Sequence, residues 1–147
     1  MNCKILVADD SDDDQFLIAR ALNKSGADCR IFAVEDGEKA IRYIAGVGEY
    51  GDRSKYPFPD ALLLDLKLPR RDGFEVLQWL RSSGFKDLPV IAHSSSSHES
   101  DIRHAFESGA NLYLCKAPNL SEVSGPLVDF LKHLPHAQRD THTHGQP

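Results

Sequence analysis

Short apolar runs alternate along the chain with longer stretches in which apolar residues recur every three or four positions. The runs lie at residues 5–8, 29–34, 61–64, 90–92 and 112–115. Four of them are almost continuously apolar, which is typical of strands that are covered on both faces of a sheet. The run at 29–34 includes Arg30, and we expect it to form a more exposed strand.

The stretches with helical spacing predict five helices, one after each strand. Their expected bounds are about residues 12–23, 38–45, 74–82, 99–108 and 124–134. Ser11 is a candidate N-cap of the first helix, and Gly109 is a candidate C-terminal stop of the fourth. The last helix is expected to start near Ser124, after a turn at 120–123. The reason is Pro126, which a first turn tolerates but which removes a hydrogen bond from a helix interior.

Apolar positions also predict the side of a helix that is buried. In the first helix the apolar residues that indicate this side are Phe16, Leu17 and Ala21. The residues of the fourth helix that are expected to face inward are Ile102, Ala105 and Phe106. Stripes of this kind are what an amphipathic helix turns toward a core.

Two segments are expected to be irregular. Residues 46–59 contain three glycines and two prolines, which predicts a long surface loop. Residues 135–147 are polar and are expected to form a flexible C-terminal tail after a domain at 1–134. The tail carries His142 and His144, which we expect to be solvated rather than to hold a metal.

Composition narrows the classes of function. The 147 residues are enough for one domain. The 17 Lys+Arg and 22 Asp+Glu give a net charge of −5. This charge argues against binding nucleic acid phosphates or an anionic membrane surface. Neither a membrane span nor a signal peptide is evident, so we expect a cytoplasmic protein. The three cysteines are odd in number and widely spaced, and we expect them to be small buried side chains without disulfides.

Strands that alternate with helices predict an α/β fold with a parallel sheet and right-handed crossovers. In such sheets, functional residues gather outside the carboxyl ends of the strands. The residues that end the apolar runs are Asp9-Asp10, Asp65, Ser94-Ser95 and Lys116. The prediction therefore brings carboxylates, a hydroxyl and an ammonium group together at one edge.

This set of residues suits metal-assisted phosphoryl transfer. Three neighbouring carboxylates repel one another, and a hard divalent cation such as Mg²⁺ relieves the repulsion. Lys116 and Ser94 would complement the oxygens of a phosphoryl group, and Asp65 would be the nucleophile that forms an aspartyl phosphate. A calcium loop beginning at Asp10 is excluded, because Gln15 and Ala21 stand where that loop needs Gly and Glu. Residues 12–14 are instead expected to be a solvated, acidic start of the first helix.

The chain resembles the receiver domain of two-component response regulators over about residues 4–134. The resemblance is carried by residues 5–10, 63–69 with Asp72-Gly73, 89–95 and 109–116. The Asp-x-x-x-Pro-x-x-Asp-Gly element that starts at Asp65 is specific in this setting. The long loop before Pro59-Asp60 resembles that of the small regulators paired with phytochrome-type histidine kinases, and we expect no output domain, as in those regulators.

The resemblance implies a flavodoxin-like, doubly wound α/β fold with strand order 2-1-3-4-5 and five helices. It implies that Asp65 takes a phosphoryl group from a histidine kinase and that Lys116 pairs with a phosphoryl oxygen. Mg²⁺ would be held by Asp9, Asp10, Asp65 and the backbone carbonyl of Lys67. Ser94 would bind the phosphoryl group through its hydroxyl, Ser95 would do so through its backbone, and Tyr113 would move inward on activation. The signal would then reach a downstream protein target, and a homodimer would form through the fourth-helix to fifth-helix face.

Three positions depart from the family pattern. Ala117 follows the lysine where the family usually has proline, so Lys116 is at risk of being displaced. Lys67 places a cation two residues after the nucleophile, and we expect its side chain to point to solvent. His93 replaces a residue that is usually apolar, and we expect it to be buried and hydrogen-bonded rather than catalytic.

The leading hypothesis is a phospho-acceptor that signals by binding a partner and is not a conventional enzyme. The alternative is a degenerate receiver that acts as a phosphate-independent interaction module. A haloacid-dehalogenase-like phosphatase is disfavoured, because Lys67 stands where a second acid is needed. A flavodoxin-type cofactor binder is disfavoured because the chain lacks a phosphate-binding loop.

Overall fold

Five strands and five helices alternate along a computed structural model, which describes residues 3–116 and 121–134. The strands are β1 Cys3–Ala8, β2 Cys29–Val34, β3 Ala61–Asp65, β4 Val90–Ser94 and β5 Leu112–Cys115. The helices are α1 Asp12–Lys24, α2 Gly37–Ala45, α3 Gly73–Ser82, α4 Glu99–Ser108 and α5 Ser121–Lys132. The predicted tail at 135–147 lies outside the described residues.

All four strand pairings are parallel, and the order is β2-β1-β3-β4-β5. One face of the sheet packs against residues of α2, α3 and α4, such as Ile44 and Leu77. The other face packs against α1 and α5 through residues such as Ile18 and Leu131. The predicted doubly wound, flavodoxin-like fold is confirmed, and it brings the carboxyl ends of the five strands to one edge.

Helix faces differ from the expectation at two phenylalanines. Phe16 is 64% exposed and Leu17 41%, whereas Ile18 and Leu22 form the buried side of α1. In α4, Ala105 is buried as predicted, but Phe106 is 46% exposed. Residues adjacent in a helix point about 100° apart, so the rotation of each helix against the sheet decides which of its apolar residues lie on the buried side.

Helix α5 starts at Ser121, earlier than predicted, and contains Pro126 in its interior. A proline in a helix interior removes the hydrogen bond that its own N–H would have donated and crowds the carbonyl four residues earlier. Leu127, Val128 and Leu131 follow it and are buried against the sheet. The packing of these three side chains stabilises the helix enough to tolerate the lost bond.

The loop at 46–59 is more ordered than predicted. It contains a 3-10 helix at Gly48–Gly51, and Tyr50 is buried against Tyr43 and Tyr56 at centroid distances of 5.1 Å in both cases. Arg53 donates hydrogen bonds to the carbonyls of Tyr43 and Ile44, both at 2.9 Å. Aromatic packing and an arginine bridge therefore hold this loop against α2.

Among the cysteines, only Cys3 is buried as expected. Cys29 is half-buried and Cys115 is exposed, because Cys115 is the last residue of an edge strand. All three are free thiols, as the absence of a disulfide pattern predicted.

Candidate functional site

The acidic cluster at the carboxyl edge of the sheet consists of Asp9, Asp10 and Asp65. Asp9 follows β1 directly and Asp65 ends β3, and their side chains are almost fully buried while Asp10 is exposed. One carboxylate oxygen from each residue lies within 4.8 Å of the other two. Burial raises the pKa of Asp9, although the Ser11 N–H and Lys116 act to lower it.

Backbone and side-chain hydrogen bonds hold these carboxylates in position. The N–H of Ser11 donates to Oδ1 of Asp9 at 2.9 Å, and the N–H of Lys67 donates to Oδ1 of Asp65 at 3.0 Å. Gln15, one turn into α1, donates from Nε2 to the backbone carbonyl of Asp9 at 2.6 Å. Each buried carboxylate therefore has Oδ1 bound by a backbone N–H, while its Oδ2 faces Lys116.

Lys116 occupies the centre of the site. Its Nζ lies 2.8 Å from Oδ2 of Asp14, 3.0 Å from Oδ2 of Asp65 and 3.1 Å from Oδ2 of Asp9. Its backbone N–H donates to the carbonyl of Ser94 at 2.7 Å, which extends the β4–β5 pairing to this residue. Burial alone would lower the pKa of Lys116, but the hydrogen bonds to Asp14 and Asp65 outweigh it and raise the pKa. Despite the neighbouring Ala117, which lies outside the described residues, the ammonium group reaches the cluster.

Serines and a tyrosine line the β4–β5 side of the site. Ser94 is buried, and its Oγ accepts a hydrogen bond from the N–H of Ser96 at 3.2 Å. The hydroxyl of the half-buried Tyr113 donates to the carbonyl of Ser96 at 2.8 Å. Ser95 is exposed beside them, and Lys67, on the opposite side of Asp65, is exposed as expected.

His93 pairs in register with Asp65 and is only 3% exposed. Burial and the nearby charge of Lys116 lower its pKa to about 4, so the ring is neutral at pH 7. Neither ring nitrogen finds a hydrogen-bond partner among the described residues. The prediction that His93 is buried is thus confirmed, whereas the predicted hydrogen bond is not found among the described residues. In register, His93 lies between Asp65 and the hydrocarbon side chain of Leu114.

Two site residues were missed from the sequence. Asp14 was expected to be solvated, yet it makes the shortest contact to Lys116. Gln15 was considered only as a residue that breaks a calcium loop. A signal for Asp14 does exist in the chain, since it lies in the first turn of the helix that directly follows Asp9 and Asp10.

The donor set suits a hard divalent cation. Three carboxylates provide oxygen ligands, which Mg²⁺, Mn²⁺ and Ca²⁺ prefer, and the exposed Asp10 leaves the cluster open to solvent. The cation would offset the charge repulsion that remains after Lys116 is counted. The residues present therefore fit a metal bound at this edge.

The sheet is parallel and doubly wound, and its carboxyl edge carries an acidic cluster and a lysine. This combination is typical of a phospho-acceptor receiver. The chain belongs to the family described as the response regulator receiver domain, whose model matches residues 5–125. It is 34% identical over 120 residues to response regulator Rcp1 of Synechocystis sp., covering 81% of this chain and 80% of that protein.

Solved structures show the same likeness. The phosphorylated cyanobacterial phytochrome response regulator RcpA superposes with a TM-score of 0.81 at 34% identity, covering 90% of this chain and 96% of that one. The Mn²⁺-bound form of Rcp1 superposes with a TM-score of 0.75 at 30% identity, covering 99% of both chains.

Membership in this family establishes the general activity. Receiver domains accept phosphoryl groups from histidine kinases, bind a divalent metal at the acidic cluster and signal by a phosphorylation-dependent change, without being conventional enzymes. Among the described residues, no helix has the length and apolar character needed to cross a membrane.

Proposed function

We propose that Asp65 is the phospho-acceptor of this receiver and that Lys116, Asp9 and Asp10 assist the transfer. One observation carries the proposal: a buried carboxylate at the end of a central strand lies 3.0 Å from an ammonium group and beside two further carboxylates. An ionised carboxylate at this depth is rare unless it is paired. The ammonium group of Lys116 supplies this pairing, and a carboxylate oxygen of Asp65 would be the nucleophile.

The proposed transfer is a single displacement at phosphorus. An oxygen of Asp65 forms a bond to phosphorus while the phosphorus–nitrogen bond of the donor's phosphohistidine breaks, and the bonding electron pair leaves with the imidazole nitrogen. Lys116 stabilises the negative charge on the phosphoryl oxygens during this step. Asp9, Asp10 and Asp65 would hold Mg²⁺ together with the backbone carbonyl of Lys67, and the bound ion would supply further charge neutralisation.

The proposed response to phosphorylation involves β4 and β5. Ser94 lies at the end of the strand next to Asp65, so a small shift of β4 would let its hydroxyl bind the phosphoryl group, beside the backbone of Ser95. Ser96 joins this loop to the Tyr113 hydroxyl. Movement of Ser94 would therefore change the position of Tyr113 and the surface of α4 and β5, where a downstream protein target would bind.

The proposed phosphoryl donor is a phytochrome-type histidine kinase, and the proposed location is the cytoplasm. The similarity to the phytochrome response regulator RcpA supports the choice of kinase.

A homodimer through the face formed by α4, β5 and α5 is also part of the proposal, supported by the exposed Phe106 on α4. In sedimentation velocity the wild-type protein should then sediment as a dimer and Phe106→Glu as a monomer. An unchanged sedimentation coefficient would contradict this interface.

The first test replaces the acceptor. With a purified phytochrome-type kinase, ATP and Mg²⁺, Asp65→Asn should lose essentially all phosphoryl incorporation, because an amide is not a nucleophile at this site. Asp87→Asn is the matched control, since Asp87 is exposed and precedes β4 at the opposite end of the sheet. Full labelling of the Asp65 variant would refute the assignment of the acceptor.

The degenerate-receiver alternative predicts a different result in one experiment. Beryllofluoride mimics a phosphoryl group on a carboxylate and does not need a kinase. Magnesium-dependent chemical shift changes around Asp65 would support the phospho-acceptor. Absence of any such change in the wild-type protein would favour a phosphate-independent interaction module.

A further inference from the structure

Asp14 is a fourth carboxylate at the site, outside the cluster that would hold a metal. It lies in the first turn of α1, where its N–H donates to Oγ of Ser11 at 3.1 Å. This N-cap bond fixes the backbone of Asp14 and so helps direct its side chain toward Lys116. The resulting contact of 2.8 Å is the shortest that the Lys116 ammonium makes.

The ammonium group of Lys116 has no donor to spare. It carries three N–H bonds, and its three carboxylate contacts use all of them. A phosphoryl group on Asp65 would also need a contact from this ammonium. Asp65 loses its own charge when it becomes an acyl phosphate, and this releases its contact with Lys116. The phosphoryl group, however, brings more negative charge than Asp65 has lost.

Asp14 and the phosphoryl oxygens would then share one cation. Asp9 would be neutralised in part by the divalent metal, whereas Asp14 lies outside the cluster of ligand oxygens. Its side chain is one-third exposed, so solvent weakens its charge without abolishing it. Like charges at this distance disfavour the state in which both are present.

We propose that Asp14 competes with the phosphoryl group for Lys116 and so limits the fraction of the protein that is phosphorylated. This inference rests on the proposed role of Asp65. Asp14 is a positioning residue in this scheme, because it acts through Lys116 and not on the reacting atoms. Its effect is opposite to that of the other carboxylates, which favour the phosphorylated state by binding the metal.

The test compares Asp14→Asn with Asp13→Asn in the full chain. Both changes remove one charge from the first turn of α1, but only Asp14 contacts Lys116, since Asp13 is exposed. With Mg²⁺ in excess, Asp14→Asn should bind beryllofluoride roughly two- to fivefold more tightly than Asp13→Asn, the range expected for a partly exposed charge pair. Asp14→Glu should return the affinity to the wild-type value, since it restores the charge.

The outcomes separate this inference from the proposed function. If the wild-type protein binds beryllofluoride but Asp14→Asn binds no more tightly than Asp13→Asn, the competition is refuted and the role of Asp65 stands. If Asp14→Asn is folded by circular dichroism and binds more weakly, Asp14 orients Lys116 for phosphorylation and the proposal is overturned. Failure of the wild-type protein to bind at all would instead refute the phospho-acceptor.

Discussion

At the scale of single residues, His93 is the side chain that least fits its surroundings. It is 3% exposed, and neither ring nitrogen has a hydrogen-bond partner among the described residues. A buried polar group without a partner costs about 1–3 kcal/mol relative to an apolar group of similar shape. The protein therefore carries an unfavourable residue next to its candidate phospho-acceptor.

This burial predicts a dependence of stability on pH. The pKa of His93 is about 4 in the folded protein and about 6.5 when the chain is unfolded. Between these values the unfolded state binds the proton and the folded state does not, so stability is lost as the pH falls from about 6.5 to 4. The linkage amounts to about 3 kcal/mol.

Urea unfolding at several pH values measures this effect. His93→Val should be more stable than wild type at pH 7 by about 1–3 kcal/mol and should lose less stability on acidification. His98→Gln is the control, because His98 is exposed and its side chain makes no capping bond to α4. Equal acid sensitivity of wild type and His93→Val would contradict the predicted burial of a neutral ring.

At the scale of elements, the start of α2 holds the loop that follows β3. The N–H of Gly37 donates to the carbonyl of Pro69 at 3.3 Å, and a Cβ placed on Gly37 would lie 1.8 Å from the carbonyl oxygen of Arg71. Arg70, in the same loop, adopts a left-handed φ of 69° and forms an ion pair with the buried Asp36 at 3.5 Å. The loop that contains Lys67 thus depends on a close contact that only glycine permits.

Gly37→Ala should therefore displace the loop. We expect a loss of about 1–3 kcal/mol in the free energy of unfolding, as for other overpacked sites, together with weaker Mg²⁺ binding at the neighbouring acidic cluster. Chemical denaturation and magnesium titration measure the two effects. Gly125→Ala is the control, because a Cβ added there in α5 has nothing within 4 Å, and it is not expected to lower stability. Unchanged stability of Gly37→Ala would show that the loop adjusts freely.

At the scale of the whole molecule, charge is concentrated at one end. The net charge is −5, and five of the six residues from 9 to 14 are aspartates. Lys116 is the cation that offsets them at the centre of the site. Repulsion among the carboxylates thus works against folding in the absence of a metal, and a bound cation should stabilise the entire domain.

Magnesium should consequently raise the melting temperature. At a concentration one hundred times its dissociation constant, an ion that binds only the folded state adds about 2.7 kcal/mol. Asp10→Asn should remove most of this gain while the domain stays folded, because Asp10 is exposed and contributes a ligand rather than core packing. Asp12→Asn, exposed in α1, is the control. The same magnesium response in both variants would remove Asp10 from the proposed ligand set.

The sequence by itself was enough to predict the fold and the members of the acidic cluster. Five apolar runs separated by helices predict a parallel sheet, and the carboxyl ends of parallel strands share one edge. Residues that end the runs, such as Asp65 and Lys116, can therefore be placed together without knowing any distance. The start of α5 was the main error in the element bounds, because packing tolerated a proline that local preference disfavoured.

Only the tertiary structure decided the contacts that join one element to another. The approach of Asp14 on α1 to Lys116 after β5 spans 102 residues of chain. The burial of His93 and the fit of Gly37 against the β3–α3 loop likewise depend on how the elements pack together. The exposure of Phe16 and Phe106 depends on how their helices are oriented on the sheet. Periodicity predicts that a helix has a buried face, but the rotation of the helix against its neighbours selects the residues that occupy it.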